Sequence, residues 1–293
     1  RMVVWWLVLV YAMFGAAWLI SRRRKARYWI PAACSVLALC AVLTVNAVQL
    51  QCTSTVTALD VSQGQSIVFS SGRACAVVDC GGRSTAEDPG DLAARKLFAQ
   101  GHRSLDLLVL THPHDDHVNG VLRLMHWLPV RTLVIPAAAD TTKAPLSDIL
   151  VLAEENHTAV VRVDAERTVT VGGISVHLYP EPCAGQEDGS MIVLASIGDY
   201  DTLVPGDVDM TAEVKFLSSC TYPGIELLLV GHHGSKRSTS DAWLDAIAPD
   251  AAIISVGYNT YGHPTSETLE RLQAHNIPIY RTDQMGDITV HLS

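Results

Sequence analysis

The chain has 293 residues, 48% of them hydrophobic, enough for one large domain and something besides. Residues 1–50 carry six basic residues (Arg1, Arg22, Arg23, Arg24, Lys25 and Arg27) and no acidic one, which leaves 15 basic and 30 acidic residues for 51–293. So acidic a domain argues against a passive nucleic-acid binder with a basic footprint, but not against a metal-dependent enzyme whose bound cations offset the charge locally. The start at Arg1 rather than Met reads as a fragment of a longer chain.

Val3–Ile20 and Tyr28–Leu50 are two uncharged runs, each about the length needed to cross a bilayer. Trp5, Trp6, Trp18, Tyr28 and Trp29 sit near their ends, where amphipathic rings favour the headgroup level. The basic loop Ser21–Arg27 between them belongs on the cytoplasmic side, which sends everything after Leu50 out of the cytoplasm. Residues 1–50 are therefore expected to be two transmembrane helices. Residues 51–293 form the second domain, in which Cys52, Cys75, Cys80, Cys183 and Cys220 can be buried thiols or disulfides.

Short strands and helices alternate from there. Strands are expected at Val56–Asp60, Ser66–Phe69 and Ala74–Val78, a helix at Asp91–Gln100, a buried strand at Asp106–Leu110 and a helix at Val118–Trp127. Thr132–Ile135, Ala159–Val163, Val169–Val171 and Ile174–Leu178 read as strands, and Met191–Ile197 with Thr202–Val204 as a hairpin. Met210–Ser218 (helix), Ile225–Val230 (strand), Ser240–Ala246 (helix), Ala251–Val256 (strand) and Ser266–His275 (helix) follow. Ile279–Arg281 and Ile288–Leu292 close the chain. Two similar halves of strands with interleaved helices predict an α/β fold of two packed sheets with helices outside.

The sharpest chemical signal is Thr111-His-Pro-His-Asp-Asp-His117, three histidines and two carboxylates within His112–His117 at a strand end. In an extended chain His112 and His114 point the same way, and Asp116 and His117 open the next helix within reach of the same point. Imidazole and carboxylate suit divalent zinc, manganese or iron. A second unusual motif, Gly231-His-His-Gly-Ser235, follows a buried strand, as active-site loops often do. His177 lies in a strand pattern and reads as structural. His102, His126, His157, His275 and His291 are scattered singly.

The pattern at His112, His114, Asp116 and His117 resembles the signature of the metallo-β-lactamase superfamily. That resemblance implies an αββα four-layer sandwich with a two-metal site, zinc or manganese, at the sheet edges. It also implies further ligands. Asp207 of Gly206-Asp207 would bridge the ions, His263 of Gly262-His-Pro264 would be the last ligand, and Asp79 would orient a ligand imidazole from behind. A mid-chain histidine of many members has no counterpart in Glu187–Met191, where water, Asp188 or Ser190 could serve.

Taken in order, Asp60-Val-Ser-Gln-Gly-Gln-Ser66, Val78-Asp-Cys-Gly-Gly82, Leu105–His117, Gly206-Asp207, His232-His-Gly-Ser235 and Tyr261-Gly-His-Pro264 resemble the C-terminal domain of ComEC-family DNA-internalisation competence proteins. Ser62 and Gln65 depart from that family's usual Gly and Asp. The resemblance implies a nuclease that degrades the non-transported DNA strand outside the inner membrane, beside the rest of its channel and other competence proteins. Its chemistry would be two-metal hydrolysis, coordination lowering the pKa of water from 15.7 to about 7. Catalytic roles are expected for His233 (serving the leaving oxygen), His232 and Asp116, and phosphate contacts for Ser235, Lys236 and Ser238. Tyr258, Asn259 and Tyr261 would shape the cleft. Two other readings stand: another hydrolase on the same scaffold (a lactonase, a β-lactamase or a small-molecule phosphodiesterase), and a non-catalytic DNA-guiding module.

Overall fold

The computed structural model describes residues 11–16, 18, 29–83, 87–180 and 190–292. The chain divides into two compact units, Arg1–Cys52 and Thr53–Ser293.

In the first unit, Trp29–Cys52 is a 24-residue helix without an acidic or basic side chain. It coincides with the second expected span. The first expected span is helical at 11–16 and otherwise lies mostly outside the described residues, as does the basic loop Ser21–Arg27. Among the described residues, no helix is long and apolar enough to cross a membrane.

The second unit begins with strands β1 (Ser54–Ala58), β2 (Ile67–Ser71), β3 (Ala74–Val78), β4 (Leu105–Val109), β5 (Val130–Pro136) and β6 (Ala159–Val163). It continues with β7 (Arg167–Val171), β8 (Ile174–Pro180), β9 (Met191–Ile197), β10 (Tyr200–Val204), β11 (Leu227–Leu229), β12 (Ala251–Ile254), β13 (Ile279–Arg281) and β14 (Ile288–Leu292). They form two seven-stranded sheets, ordered β14-β1-β2-β3-β4-β5-β6 and β13-β12-β11-β10-β9-β8-β7. In each sheet four consecutive strands, β3 to β6 and β10 to β13, run parallel, and the rest pair antiparallel.

Strand alternation explains the layers. Val56, Ile67, Phe69, Ala76, Val78, Leu107 and Val109 face the other sheet and meet Val176, Leu178, Met191 and Val193 in a central core. Their neighbours Val68, Cys75, Val77 and Leu108 face helices on one outer side, while Leu203, Leu228, Ala252 and Ile254 do so on the other. The result is the expected αββα sandwich.

Two helical readings change. The expected helix Val118–Trp127 is interrupted: Asp115–Val118 and Val121–Trp127 are separate helices. Gly120 between them lies against the backbone of Gly90, leaving no room for a Cβ. A helix at Leu146–Glu155 adds to the sequence reading. It is the crossover that the parallel pair β5–β6 requires. Among the described residues, Cys40, Cys75, Cys80 and Cys220 are free thiols.

Candidate metal centre

Parallel strands place the chemistry. β3, β4, β10, β11 and β12 all end at one edge of the sandwich, and the loops leaving their carboxyl ends carry Asp79, His112–His117, Asp207, His232–His233 and Gly257–His263. Loops at the carboxyl ends of parallel strands are where such sheets build binding sites.

Two ligand groups converge there. His112, His114 and Asp207 form one, and Asp116, His117 and His233 the other. Asp207 stands between them. Its Oδ2 lies 3.6 Å from His112 Nε2 and its Oδ1 3.2 Å from His117 Nε2. His233 Nε2 is 3.6 Å from Asp116 Oδ2 and 3.9 Å from Asp207 Oδ1. These approaches are not hydrogen bonds: the buried Nε2 atoms of His112, His117 and His233 and Oδ1 of Asp207 have no hydrogen-bond partner. Buried polar atoms are ordinarily paired, so orphan acceptors aimed at a shared point fit divalent cations. The two His/Asp clusters are consistent with a binuclear site.

The rings are aimed from behind. His117 Nδ1 bonds Asp79 Oδ2 at 2.7 Å, and His233 Nδ1 bonds the Ser255 carbonyl at 2.8 Å. Each bond commits Nδ1 to the second layer and leaves Nε2 facing the cluster. Asp79 is fully buried and accepts further bonds from Gln65 Nε2, the Thr111 amide and the Thr111 hydroxyl. The Thr111 hydroxyl also meets His112 Nδ1 at 3.1 Å. Gly206 sits against this threonine with φ +63°, a left-handed turn that glycine adopts freely just before Asp207.

The charges follow the same geometry. Burial and the adjacent His117 hold His112 well below the ordinary imidazole range. Burial also opposes the charge of His117, but the flanking carboxylates Asp207 and Asp79 overcome it and raise that ring well above the range. Burial opposes ionisation of Asp207 and Asp116 too. The surrounding histidines, His117 and His233 above all, outweigh it and keep both carboxyls well below their usual values.

Neither His232 nor His263 belongs to the two ligand groups, and both stand beside them. Asn259 holds the His263 backbone, accepting its amide N–H at 3.0 Å and donating to its carbonyl at 2.8 Å, and the buried His263 Nδ1 has no hydrogen-bond partner. The ring lines the cavity, as His114, Asp116, Asp207 and His233 do, with burial and the nearby His232 lowering its pKa. His232 Nε2, by contrast, lies 3.5 Å from Asp207 Oδ2, on the side that holds His112. Both His232 (φ 50°) and His233 (φ 54°) are left-handed.

The residues expected to contact phosphate lie beside the cavity rather than on its wall. Ser238 is buried and its hydroxyl donates to the Val208 carbonyl at 2.7 Å. The buried Ser235 hydroxyl accepts the Arg237 N–H, and Lys236 lines a separate groove with Glu267 and Glu270. The three follow the turn through Gly234 (φ +85°) and are not among the residues that line the cavity. His177 pairs with Thr168 on β7, at 2.9 Å. Asp188 lies outside the described residues. Ser190 is buried where the Met191 N–H reaches the Thr111 carbonyl.

The cavity over the two groups measures 540 Å³ and is also lined by Gln63, Arg83, Lys143 and Tyr261. Sequence reasoning did not assign Arg83, although it directly follows the Asp79-Cys-Gly-Gly82 motif. Lys143 comes from the loop after β5, where no motif marks it.

A family model described as Metallo-beta-lactamase superfamily matches residues 59–258. The chain belongs to that superfamily. Within it, the chain is related to the C-terminal portion of competence proteins. ComE operon protein 3 of Bacillus subtilis (strain 168) is 32% identical over 199 residues, 66% of this chain and 25% of that protein. Competence protein ComA of Neisseria gonorrhoeae is 29% identical over 237 residues, 79% of this chain and 31% of that protein. The chain thus spans a quarter to a third of the length of these relatives. The crystal structure of the metallo-beta-lactamase fold protein YhfI from Bacillus subtilis shares the fold, with TM-score 0.56 at 12% identity over 82% of this chain and 100% of that one.

Proposed function

We propose that residues 53–293 are a metal-dependent nuclease of a DNA-uptake protein, hydrolysing phosphodiester bonds of the strand that is not transported. The observation that carries the hydrolase reading is the set of orphan buried ligand atoms around Asp207. The competence relatives supply the DNA context.

In this reading His112, His114, Asp207 and His232 hold one ion, and Asp116, His117, His233 and Asp207 the other. Zinc or manganese suits this mixture of imidazole and carboxylate. Bound there, the ions would supply Lewis acidity to a phosphoryl oxygen and an acidified water as nucleophile. The chain does the rest. Asp79 fixes the tautomer of His117, and the Ser255 carbonyl fixes that of His233. His263, outside both ligand sets and facing the cavity, takes the role first expected of His233: the imidazole that serves the leaving oxygen.

Residues 1–50 are placed in the inner membrane on their sequence, with the basic loop Ser21–Arg27 inside and the hydrolase domain outside the cytoplasm.

The test is cleavage of single-stranded DNA by the whole chain in detergent with Mn²⁺, Zn²⁺ or Mg²⁺, beside an Asp116→Ala/His117→Ala control. Metal-dependent cleavage lost in the control is expected; no cleavage by folded, metal-loaded protein refutes the nuclease reading. Metal content separates the two histidines. His232→Ala should lose about one ion per chain while His263→Ala retains both, and the reverse would restore His263 as the ligand.

A further inference from the structure

The loop Gly257–His263 presents on the wall of the metal cavity one ring that the proposed chemistry does not use, Tyr261. Tyr258 is 90% exposed and Tyr261 58%, although the loop that bears them is held firmly. Asn259 staples it from within, donating to the Gly257 and His263 carbonyls and accepting the Tyr261 and His263 amides at 2.8–3.1 Å. Gly257 abuts Ser62 so closely that a Cβ there would lie 2.3 Å from the Ser62 hydroxyl. Tyr261 is therefore exposed without being loose, and its position on the cavity wall is fixed.

A cation accompanies it. The Arg83 guanidinium carbon stands 5.9 Å from the Tyr261 ring centroid, and Arg83 Nη1 donates to the Tyr261 hydroxyl at 3.3 Å. The Arg83 backbone is pinned through its own N–H to the Gln63 carbonyl, and Gly82 before it is clasped by Asn119. From Tyr261 a row of rings leads inward. Tyr261 lies 5.9 Å from His263, and His263 lies 5.6 Å from His232, which faces Asp207.

We propose that Tyr261, assisted by Tyr258, is a stacking platform for bases of a single-stranded nucleic acid, and that Arg83 holds the phosphate beside the stacked base. This rests on the nuclease reading and names its substrate subsite. Aromatic rings pre-set on a rigid loop are how sequence-tolerant single-strand sites bind bases. A guanidinium is suited both to a ring face and to a phosphate. The acidic balance of residues 51–293 favours the same device: with 15 basic against 30 acidic residues, affinity comes from stacking rather than from many phosphate contacts. Duplex DNA hides its base faces and is a poor ligand.

The experiment is binding of a fluorescein-labelled oligothymidine to the whole chain in detergent, by anisotropy, in EDTA so that nothing is cleaved. Tyr261→Ala should weaken binding about 5- to 150-fold, the range for one stacked base. Tyr261→Trp should restore it, and an oligomer with an abasic residue should bind the native protein as weakly as the normal oligomer binds Tyr261→Ala. Arg83→Ala should reduce the salt slope by about 0.7, one phosphate contact on a single strand. Equal affinity of Tyr261→Ala and native protein, in a chain whose metal-loaded form cleaves single strands, overturns the platform and leaves the nuclease reading standing. Absence of both binding and cleavage overturns both.

Discussion

Replacing Asp79 with asparagine separates its charge from its shape. Oδ1 accepts the Thr111 amide, while Oδ2 accepts Gln65 Nε2, the Thr111 hydroxyl and His117 Nδ1, all at 2.7–2.8 Å. An amide nitrogen in the Oδ2 position would face three donors; in the Oδ1 position it faces one. Asparagine therefore turns its nitrogen toward the Thr111 N–H and leaves that buried donor unmet, at about 1–3 kcal/mol. The three surviving bonds fall from charge-assisted to neutral, about 1 kcal/mol each. Relief of a buried carboxylate's desolvation returns part of this, for a net loss of about 2–4 kcal/mol. Because the charge that steadies His117 is gone, metal affinity should fall about 10- to 100-fold as well. Urea unfolding gives the first number and zinc titration against a competing chelator the second. A variant within about 0.5 kcal/mol of the native protein, with unchanged zinc affinity, would show that Asp79 neither supports the edge of the sandwich nor aims His117.

Ser62 has φ 62°, a conformation that costs an L-residue about 1–2 kcal/mol and glycine almost nothing. After glycine's larger unfolded-state entropy, Ser62→Gly should stabilise the protein by about 0.5–1 kcal/mol in urea; a loss would mean the hydroxyl's contact with Gly257 outweighs the strain. Glu213 is buried beneath the amides of Thr239 and Ser240, and burial raises its pKa above 4.5. A raised carboxyl contributes stability that is complete below the unfolded value and lost as pH rises through the folded one. Glu213→Gln should therefore gain on the native protein as pH climbs past 4.5, and a difference constant with pH would refute the assignment. Burial pushes the Cys75 thiol up to about 12 and Cys80 higher still. Neither should be alkylated by iodoacetamide in native protein, whereas both should be in urea, as peptide masses will show.

Local patterns carried much of the fold. The strands of the central core repeat apolar residues with the period that a doubly covered sheet demands, as in Ala74–Val78 and Met191–Ile197, both almost wholly buried. The helix Leu146–Glu155 has no side-chain cap at Pro145 to mark its start; only the parallel pairing of β5 with β6 makes a crossover obligatory. Within the site, His112, His114, Asp116 and His117 were legible because four candidate ligands in six residues have little structural use. Asp207 was legible through the resemblance at Gly206-Asp207. The environment of Ser238 was not, because nothing in His-His-Gly-Ser tells which way the chain turns after Gly234.

The doublet His232–His233 shows most clearly what sequence spacing omits. Neighbouring residues in an extended chain point to opposite faces, and only one of two adjacent histidines would then reach a given pocket. Here both are left-handed, at about 1–2 kcal/mol each for a residue with a Cβ. Such strain persists only where the surroundings over-determine it. Gly231 and Gly234 bracket the turn, and the Ser255 carbonyl fixes His233. The doublet then straddles Asp207, His232 toward Oδ2 and His233 toward Oδ1. One strained turn thereby offers an imidazole to each oxygen of the Asp207 carboxylate. In the proposed reading His232 would stand in for the mid-chain histidine that Glu187–Met191 lacks, and His233 would complete the side of His117. His263 then stands on the cavity wall between His232 and Tyr261, 5.6 Å and 5.9 Å from their rings.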